Sequence, residues 1–157
     1  MPEIISLVNH NNLSSETSSI SVGQTGEKLA AEHLVKKSYL PVASNFKVSI
    51  GRNRVGAIVT GEIDLIAYDK DTLCFIEVKT RSSDKFASPL AAVDLRKQRQ
   101  ITRTARVYRK IFQLNNIKFR YDVVAIVLQT GKPPEIELLK GFWSENKFSK
   151  TFWSDDF

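Results

Sequence analysis

The chain holds a single cysteine, Cys74, among its 157 residues. One thiol excludes an intramolecular disulfide and any zinc centre built from cysteines. The two histidines, His10 and His33, have no partner at ligand spacing, and neither is assigned a function. Long apolar runs are missing too: nothing approaches the roughly 18 residues of a membrane span, and the N-terminus lacks the basic-then-apolar order of a signal peptide. No internal repeat is present. These absences lead us to expect a soluble protein of a reducing compartment, cytoplasmic and without a membrane partner. Wholesale disorder is not indicated, because 42% of the residues are hydrophobic and only 25% charged. The length suits one domain with its own core.

Acidic residues are in short supply: 17 Asp plus Glu against 23 Lys plus Arg give a formal net charge of +6. That balance favours an anionic partner such as nucleic acid or a membrane surface, and its distribution along the chain matters more. The deficit is concentrated, since no acidic residue occurs from Leu95 to Tyr121. This segment contains LRKQRQITRTARVYRKIF, which reads as a helix. On a helical projection Arg99, Arg103, Arg106 and Lys110 fall within about 60° of one another. Ile101, Ala105, Tyr108, Ile111 and Phe112 take the opposite side. A merely solvated face normally mixes signs and gains from acidic partners one turn away, and this one has none in its own sequence. A phosphate-binding stripe is therefore the stronger reading. Lys97 projects with the apolar residues and Gln98 sits beside it, which suits a place at the edge of a site.

Residues 1–20 are rich in Ser, Asn and Thr without a sustained period and read as a flexible lead-in. Residues 22–38 form an amphipathic helix with Gly23, Gly26, Leu29, Ala30, His33 and Leu34 on one broad face. A first strand is expected over Val42–Ile50. The loop GRNRVGAIVT follows, its two Gly and two Arg suggesting a mobile basic segment. Then come a hairpin over about 62–79, a loop at TRSSDKFASP, the long helix from Ala91 to about Gln113, and a buried strand RYDVVAIVL. EIELLKGF adds an edge strand. The fold class is α/β, a mixed sheet flanked by helices in the order α-β-β-β-α-β. The folded domain is expected over 21–142. Residues 143–157 make an aromatic and polar tail, whose Trp143 and Trp153 suit base stacking, cover of a sheet edge or self-association alike.

The hairpin GEIDLIAYDKDTLCFIEVKTRSS carries the chemistry. Its turn DKDT lacks glycine, which disfavours a tight two-residue turn and suggests a four-residue loop over Asp69–Thr72. That register sets Tyr68 opposite Leu73, Ile66 opposite Phe75, Asp64 opposite Glu77 and Glu62 opposite Lys79. Ile63, Leu65, Ala67, Cys74, Ile76 and Val78 then share a wholly apolar face, with Cys74 a packing residue. Two carboxylates face to face repel unless a cation lies between them. Asp64 and Glu77 thus form a candidate site for a hard divalent metal, with Lys79 placed to reach a water or phosphate held there. Against this stands a plain exposed strand face with a Glu62–Lys79 ion pair, worth only about 0.2–1 kcal/mol. Spacing alone does not separate the two.

An Asp on one strand followed by E-x-K on the next resembles the PD-(D/E)xK nuclease superfamily. The combination of G-E-I-D-L-I-A, F-I-E-V-K-T-R-S, the upstream G-x-x-G-E-K-L-A helix, K-Q-R and Y-D-V-V-A resembles the YraN-like family of predicted endonucleases. That family is similar in turn to archaeal Holliday-junction resolvases. The likeness spans about residues 22–142 and implies a restriction-endonuclease-like core. It implies Mg²⁺ or Mn²⁺ held by Asp64, Glu77 and the main-chain carbonyl of Val78, with Lys79 assisting the attacking water. It also implies a supporting acid from the first helix, here Glu27, which the residues alone would leave as an exposed helical glutamate. Ile63 stands where the superfamily motif has proline, and the link between the first strand and Gly61 is longer than usual. The expected function is a Mg²⁺- or Mn²⁺-dependent endonuclease on DNA, structured or branched, of the kind used in repair or recombination. A homodimer is what the resolvase likeness implies. The alternative is a non-catalytic nucleic-acid-binding module that keeps the fold.

Overall fold

Helix α1 (Ser19–Lys36) opens the part of the chain that the computed structural model describes, residues 19–82, 91 and 93–148. The lead-in up to residue 18, most of the loop expected after the hairpin, and Trp153 lie outside the described residues. Three strands follow: β1 (Leu40–Arg52), β2 (Ile58–Asp69) and β3 (Thr72–Ser82). Helix α2 (Leu95–Ile111) crosses to β4 (Lys118–Leu128), and β5 (Glu135–Trp143) and a short 3-10 turn (Glu145–Phe148) complete the order. The five strands form one sheet in sequence order, antiparallel throughout except for the parallel pair β3–β4. The α/β class and the element order expected from the sequence hold, with β5 added to the sheet.

Each face of the sheet is covered. Ile66, Leu73, Phe75, Val123 and Tyr121 pack with Ile101, Ala105 and Tyr108 of α2. Leu65, Ala67, Cys74, Ile76 and Val124 pack with Ala30 and Leu34 of α1. Cys74 is buried packing, as expected. Strand β3 reads as a continuous apolar run because both of its sides are core.

Several expectations are corrected. The segment 51–60 is no loose loop: β1 runs to Arg52, β2 begins at Ile58, and the tip between them is tied by hydrogen bonds. Thr80, Arg81 and Ser82 belong to β3 rather than to a loop. The hairpin turn is the tight one after all. Asp69 pairs with Thr72, leaving Lys70 and Asp71 as the turn, with Lys70 at φ +57°. A left-handed lysine costs on the order of 1–2 kcal/mol. Arg120 and Lys140 bind Asp69 and Lys118 binds Asp71, so ion pairs to later strands hold the turn in place of a glycine. Trp143 is core, not tail: it stacks on Tyr121 at 4.8 Å and its indole N–H donates to Thr102 Oγ1 at 2.9 Å.

The apolar faces also differ from a simple period of two. Ile63 lies in the α2 layer with Ile66, three residues away, while Leu65 lies in the α1 layer. Ala43 and Phe46 of β1 make the same three-residue step. Asn45, at φ +50°, reverses the alternation in β1, and Asp64 sits at the matching reversal in β2. Ile63 therefore does not share the face of Leu65 and Ala67, as strict alternation had suggested.

One glycine sets how closely α1 approaches the sheet. A Cβ on Gly26 would lie 1.8 Å from Thr80 Oγ1 and 2.9 Å from Thr80 Cβ, so α1 rests its backbone on β3 one residue past Lys79. Gly23, one turn earlier, has nothing within 4 Å. Gly26→Ala is expected to destabilise the fold by about 1–3 kcal/mol through overpacking, whereas Gly23→Ala should stabilise it by roughly 0.5–1 kcal/mol through helix propensity. Urea midpoints of both variants check this. Equal effects would mean that α1 does not depend on the contact at Gly26.

Candidate active site

The hairpin register read from the sequence holds through Leu65 opposite Ile76, and there the β2–β3 ladder ends. Beyond it β2 stays paired with β1 down to Ile58, and β3 stays paired with β4 up to Ser82. The sheet forks, and Asp64 and Glu77 are the first residues past the fork. Asp64 Oδ2 accepts the Val78 N–H at 2.8 Å, a side chain standing where a ladder bond would otherwise run. In an extended residue the N–H and C=O leave on the same side, so the Val78 carbonyl also faces the fork. The fork removes the expected Glu62–Lys79 pair. Glu62 instead meets its β1 neighbour Lys47 at 4.0 Å.

Glu77 is 6% exposed, and its Oε2 is buried without a hydrogen-bond partner. Lys97 Nζ lies 3.6 Å from Oε1. Burial, and then the charge of Asp64, push the Glu77 carboxyl up to about 8, against the pull of Lys97 and Lys79. Glu27 of α1 comes to the same place. Burial and the Asp64 charge raise its carboxyl above the ordinary glutamate range, while a hydrogen bond from Asn45 lowers it. The structure thus brings Glu27, Asp64, Glu77, Val78 and Lys79 together and sets Lys97 against Glu77, at the edge of a site where its projection off the Arg stripe had suggested. It also adds Asn45 and Lys47. Their signal in the sequence was weak, a lone Asn within a strand.

Among the described residues no three His, Cys, Asp or Glu side chains gather closely enough to hold an ion by themselves. The pair Asp64 and Glu77 still fits a hard divalent cation, because an unpartnered buried carboxylate oxygen is a donor waiting for one. The Val78 carbonyl and water would have to complete such a set.

The stripe of α2 divides. Arg99 and Arg103 line a groove of about 910 Å³ between α2 and the far end of β1–β2. Arg103 also donates to the Ile50 carbonyl, and Arg99 lies over the Phe148 ring at 5.8 Å. Arg106 turns to Glu145 and the Phe148 carbonyl, so its acidic partner comes from the 3-10 turn rather than from its own helix. Gln98 is buried, donating to the Val93 carbonyl at 2.8 Å, and is structural rather than open to a ligand. Lys110 is exposed. Asp94, overlooked in the sequence, caps α2 by accepting the Lys97 N–H at 2.8 Å.

A raised carboxyl pKa has a defined consequence for stability. Between the unfolded glutamate value and about 8, the folded protein binds a proton that the unfolded chain has released. Stability should therefore fall as pH rises through that window, by at most about 1.4 kcal/mol per pH unit from this group. Glu77→Gln should flatten the slope and leave the metal-free protein more stable than the parent at pH 8. Denaturant midpoints in EDTA at pH 5 and pH 8 test it. A variant with the parent's slope would show that Glu77 is not the buried proton holder.

Residues 26–126 match the family model described as "Uncharacterised protein family UPF0102". A UPF0102 protein of Caldanaerobacter subterraneus is 40% identical over 112 residues, covering 71% of this chain and 84% of that protein. One from Chlorobium limicola is 36% identical over 135 residues, covering 86% and 94%. Among solved structures, SSO0001 matches with a TM-score of 0.40 and 16% identity, covering 84% of this chain and 56% of that one. These names carry no activity or substrate. No helix among the described residues is long and apolar enough to cross a membrane. The residues at the fork all fall within the matched span, and the chain belongs to the UPF0102 family, the YraN-like family.

Proposed function

We propose that this protein is a metal-dependent endonuclease that hydrolyses DNA phosphodiester bonds, with structured or branched DNA as its substrate class. One observation carries the reading: Glu77 is buried beside Asp64 at a fork in the sheet, with one carboxylate oxygen left unpartnered. A core that only needed to be stable would not keep that group, because an unsatisfied buried carboxylate is costly. Asp64, Glu77 and the Val78 carbonyl would hold Mg²⁺ or Mn²⁺. Such an ion supplies Lewis acidity that lowers the pKa of a water and neutralises charge on the phosphate.

The remaining roles belong to the chain's own residues. Lys79 leaves β3 two residues beyond Glu77 on the same face and would orient the attacking water or stabilise charge on the phosphate oxygens. Lys97 offsets the Glu77 charge and holds that carboxylate in position. Glu27, kept close by the backbone contact at Gly26, would accept a hydrogen bond from water on the α1 side. The groove beside Lys97, with Arg99 and Arg103 on its wall, supports an anionic substrate lying across this end of the sheet.

Supercoiled plasmid, single-stranded DNA and a four-way junction, each with Mn²⁺, Mg²⁺ or EDTA, form the test. Metal-dependent nicking is expected for the parent and none in EDTA. Lys79→Ala should lose turnover by at least about 10²-fold, as expected for a group acting in the transition state, while keeping the metal-induced rise in melting temperature. Asp64→Asn should lose both. At a hundredfold excess over Kd, metal should stabilise the parent by about 2.7 kcal/mol. A parent that binds DNA yet cuts no substrate in any metal would overturn the nuclease reading in favour of a binding module.

A further inference from the structure

The far end of the β1–β2 hairpin takes no part in the chemistry above, yet it is built with care. Asn53 Oδ1 accepts the N–H groups of Val55 and Ala57 at 3.1 and 2.9 Å. The Asn53 N–H donates to the Ala57 carbonyl, the Gly56 N–H donates to the Asn53 carbonyl, and Arg52 Nη1 donates to the Gly56 carbonyl. Gly56, at φ +82°, supplies the one conformation that a side chain would strain. These bonds close the tip on itself and leave it little freedom to lose on binding.

What the tip presents is apolar. Val55 stands at its apex, 87% exposed, and Ile58 follows at 60%. Arg52 and Arg54 flank Val55 on the same tip, and across the groove stand Arg96, Lys97, Arg99 and Arg103 of α2. Among the described residues Asp94 is the one acidic residue on the groove wall, and its carboxylate is already engaged by the Lys97 N–H. The groove reaches Glu77 directly, since Lys97 lines it and lies 3.6 Å from that carboxylate. Charge of one sign on both walls suits a polyanion with a continuous backbone. A rigid aliphatic apex between two arginines suits insertion where bases are already unstacked, because prying apart an intact step costs a few kcal/mol.

We infer that the β1–β2 tip is a wedge for discontinuous duplex: Arg54 and Arg96 hold the phosphate backbone from opposite walls, and Val55 enters the gap in the base stack at a fork, nick or branch. This rests on the nucleic-acid reading of the site and adds to it the feature the protein recognises and the side chain that does so.

The full chain is titrated, in EDTA to prevent cleavage, with a forked duplex carrying 2-aminopurine at the branch and with a continuous duplex of the same length. The parent should bind the fork at least several-fold more tightly, and the probe should brighten as it unstacks. Val55→Ser, at so exposed a position, should fold normally, lose both the preference and the brightening, and keep the parent's affinity for continuous duplex. Arg54→Gln with Arg96→Gln should weaken both DNAs alike and lower the salt slope by roughly 2, at about 0.9 per phosphate contact. A Val55→Ser protein that keeps preference and brightening overturns the inference, and so does a double variant with unchanged affinity. Polyglutamate competing as well as DNA at equal charge would mark an acid-binding surface and overturn it too. Plasmid nicking is scored separately. A parent that nicks but shows no preference for the fork overturns this inference alone, whereas one that brightens the probe but never nicks overturns the nuclease reading alone.

Discussion

The bond from the Val78 N–H to the Asp64 carboxylate holds the centre of this structure. A strand that parts from its neighbour leaves main-chain donors and acceptors behind, and inside a protein these must find partners. Asp64 supplies one, so β2 can follow β1 while β3 follows β4. The gap between them is where the carboxylates, Lys79 and the Val78 carbonyl converge. The reversal of alternation at Asn45 and Asp64 belongs to the same arrangement. It turns Ile63 toward α2 and leaves Asp64 at the mouth of the fork rather than pressed into either core.

Two buried carboxylates are held in opposite ways. Asp122 is fully buried and fully satisfied: Arg120 donates to both oxygens, and the Gly141 N–H donates to one. The same guanidinium reaches Asp69 and the Tyr39 hydroxyl, so it ties β4 to the hairpin turn and to the start of β1. Glu77, hardly more exposed, has Lys97 at 3.6 Å and an oxygen with no partner. A satisfied buried ion rigidifies its surroundings, whereas an unsatisfied one persists where binding later compensates it.

Helix α2 serves both ends of the molecule. Its middle turns press Ile101, Ala105 and Tyr108 into the core, and Thr104 rests on Gly61, where a Cβ would come within 1.9 Å of the Thr104 hydroxyl. Its last turns spend Arg106 and Arg109 on Glu145, fixing the 3-10 turn and the Phe148 ring against the core. Its first turns carry Lys97 to the fork and Arg96 and Arg99 to the groove. One basic helix is thus divided by position into a segment that anchors the 3-10 turn and a segment that lines the groove, a division that a helical wheel does not show.

The DKDT segment determined the register, because a connection centred there sets Tyr68 opposite Leu73 and Ile66 opposite Phe75, and those are the pairs the chain forms. Periodicity likewise determined that both helices form and that Ile101, Ala105 and Tyr108 face the core, since 3.6-residue patterning is local, while Ile111 and Phe112 at the helix end, assigned to the same side, are exposed. The sequence alone did not determine that the ladder stops at Leu65, that Lys70 adopts a left-handed turn, or that Arg106 faces Glu145. Each depends on a partner far along the chain: Val78 for Asp64, Arg120 and Lys140 for the turn, the 3-10 segment for Arg106. Local pattern reports which face a side chain prefers, but only tertiary contact decides which charged group meets it there. For this protein that decision separates an ordinary hairpin from a forked sheet with an unpartnered carboxylate at its opening.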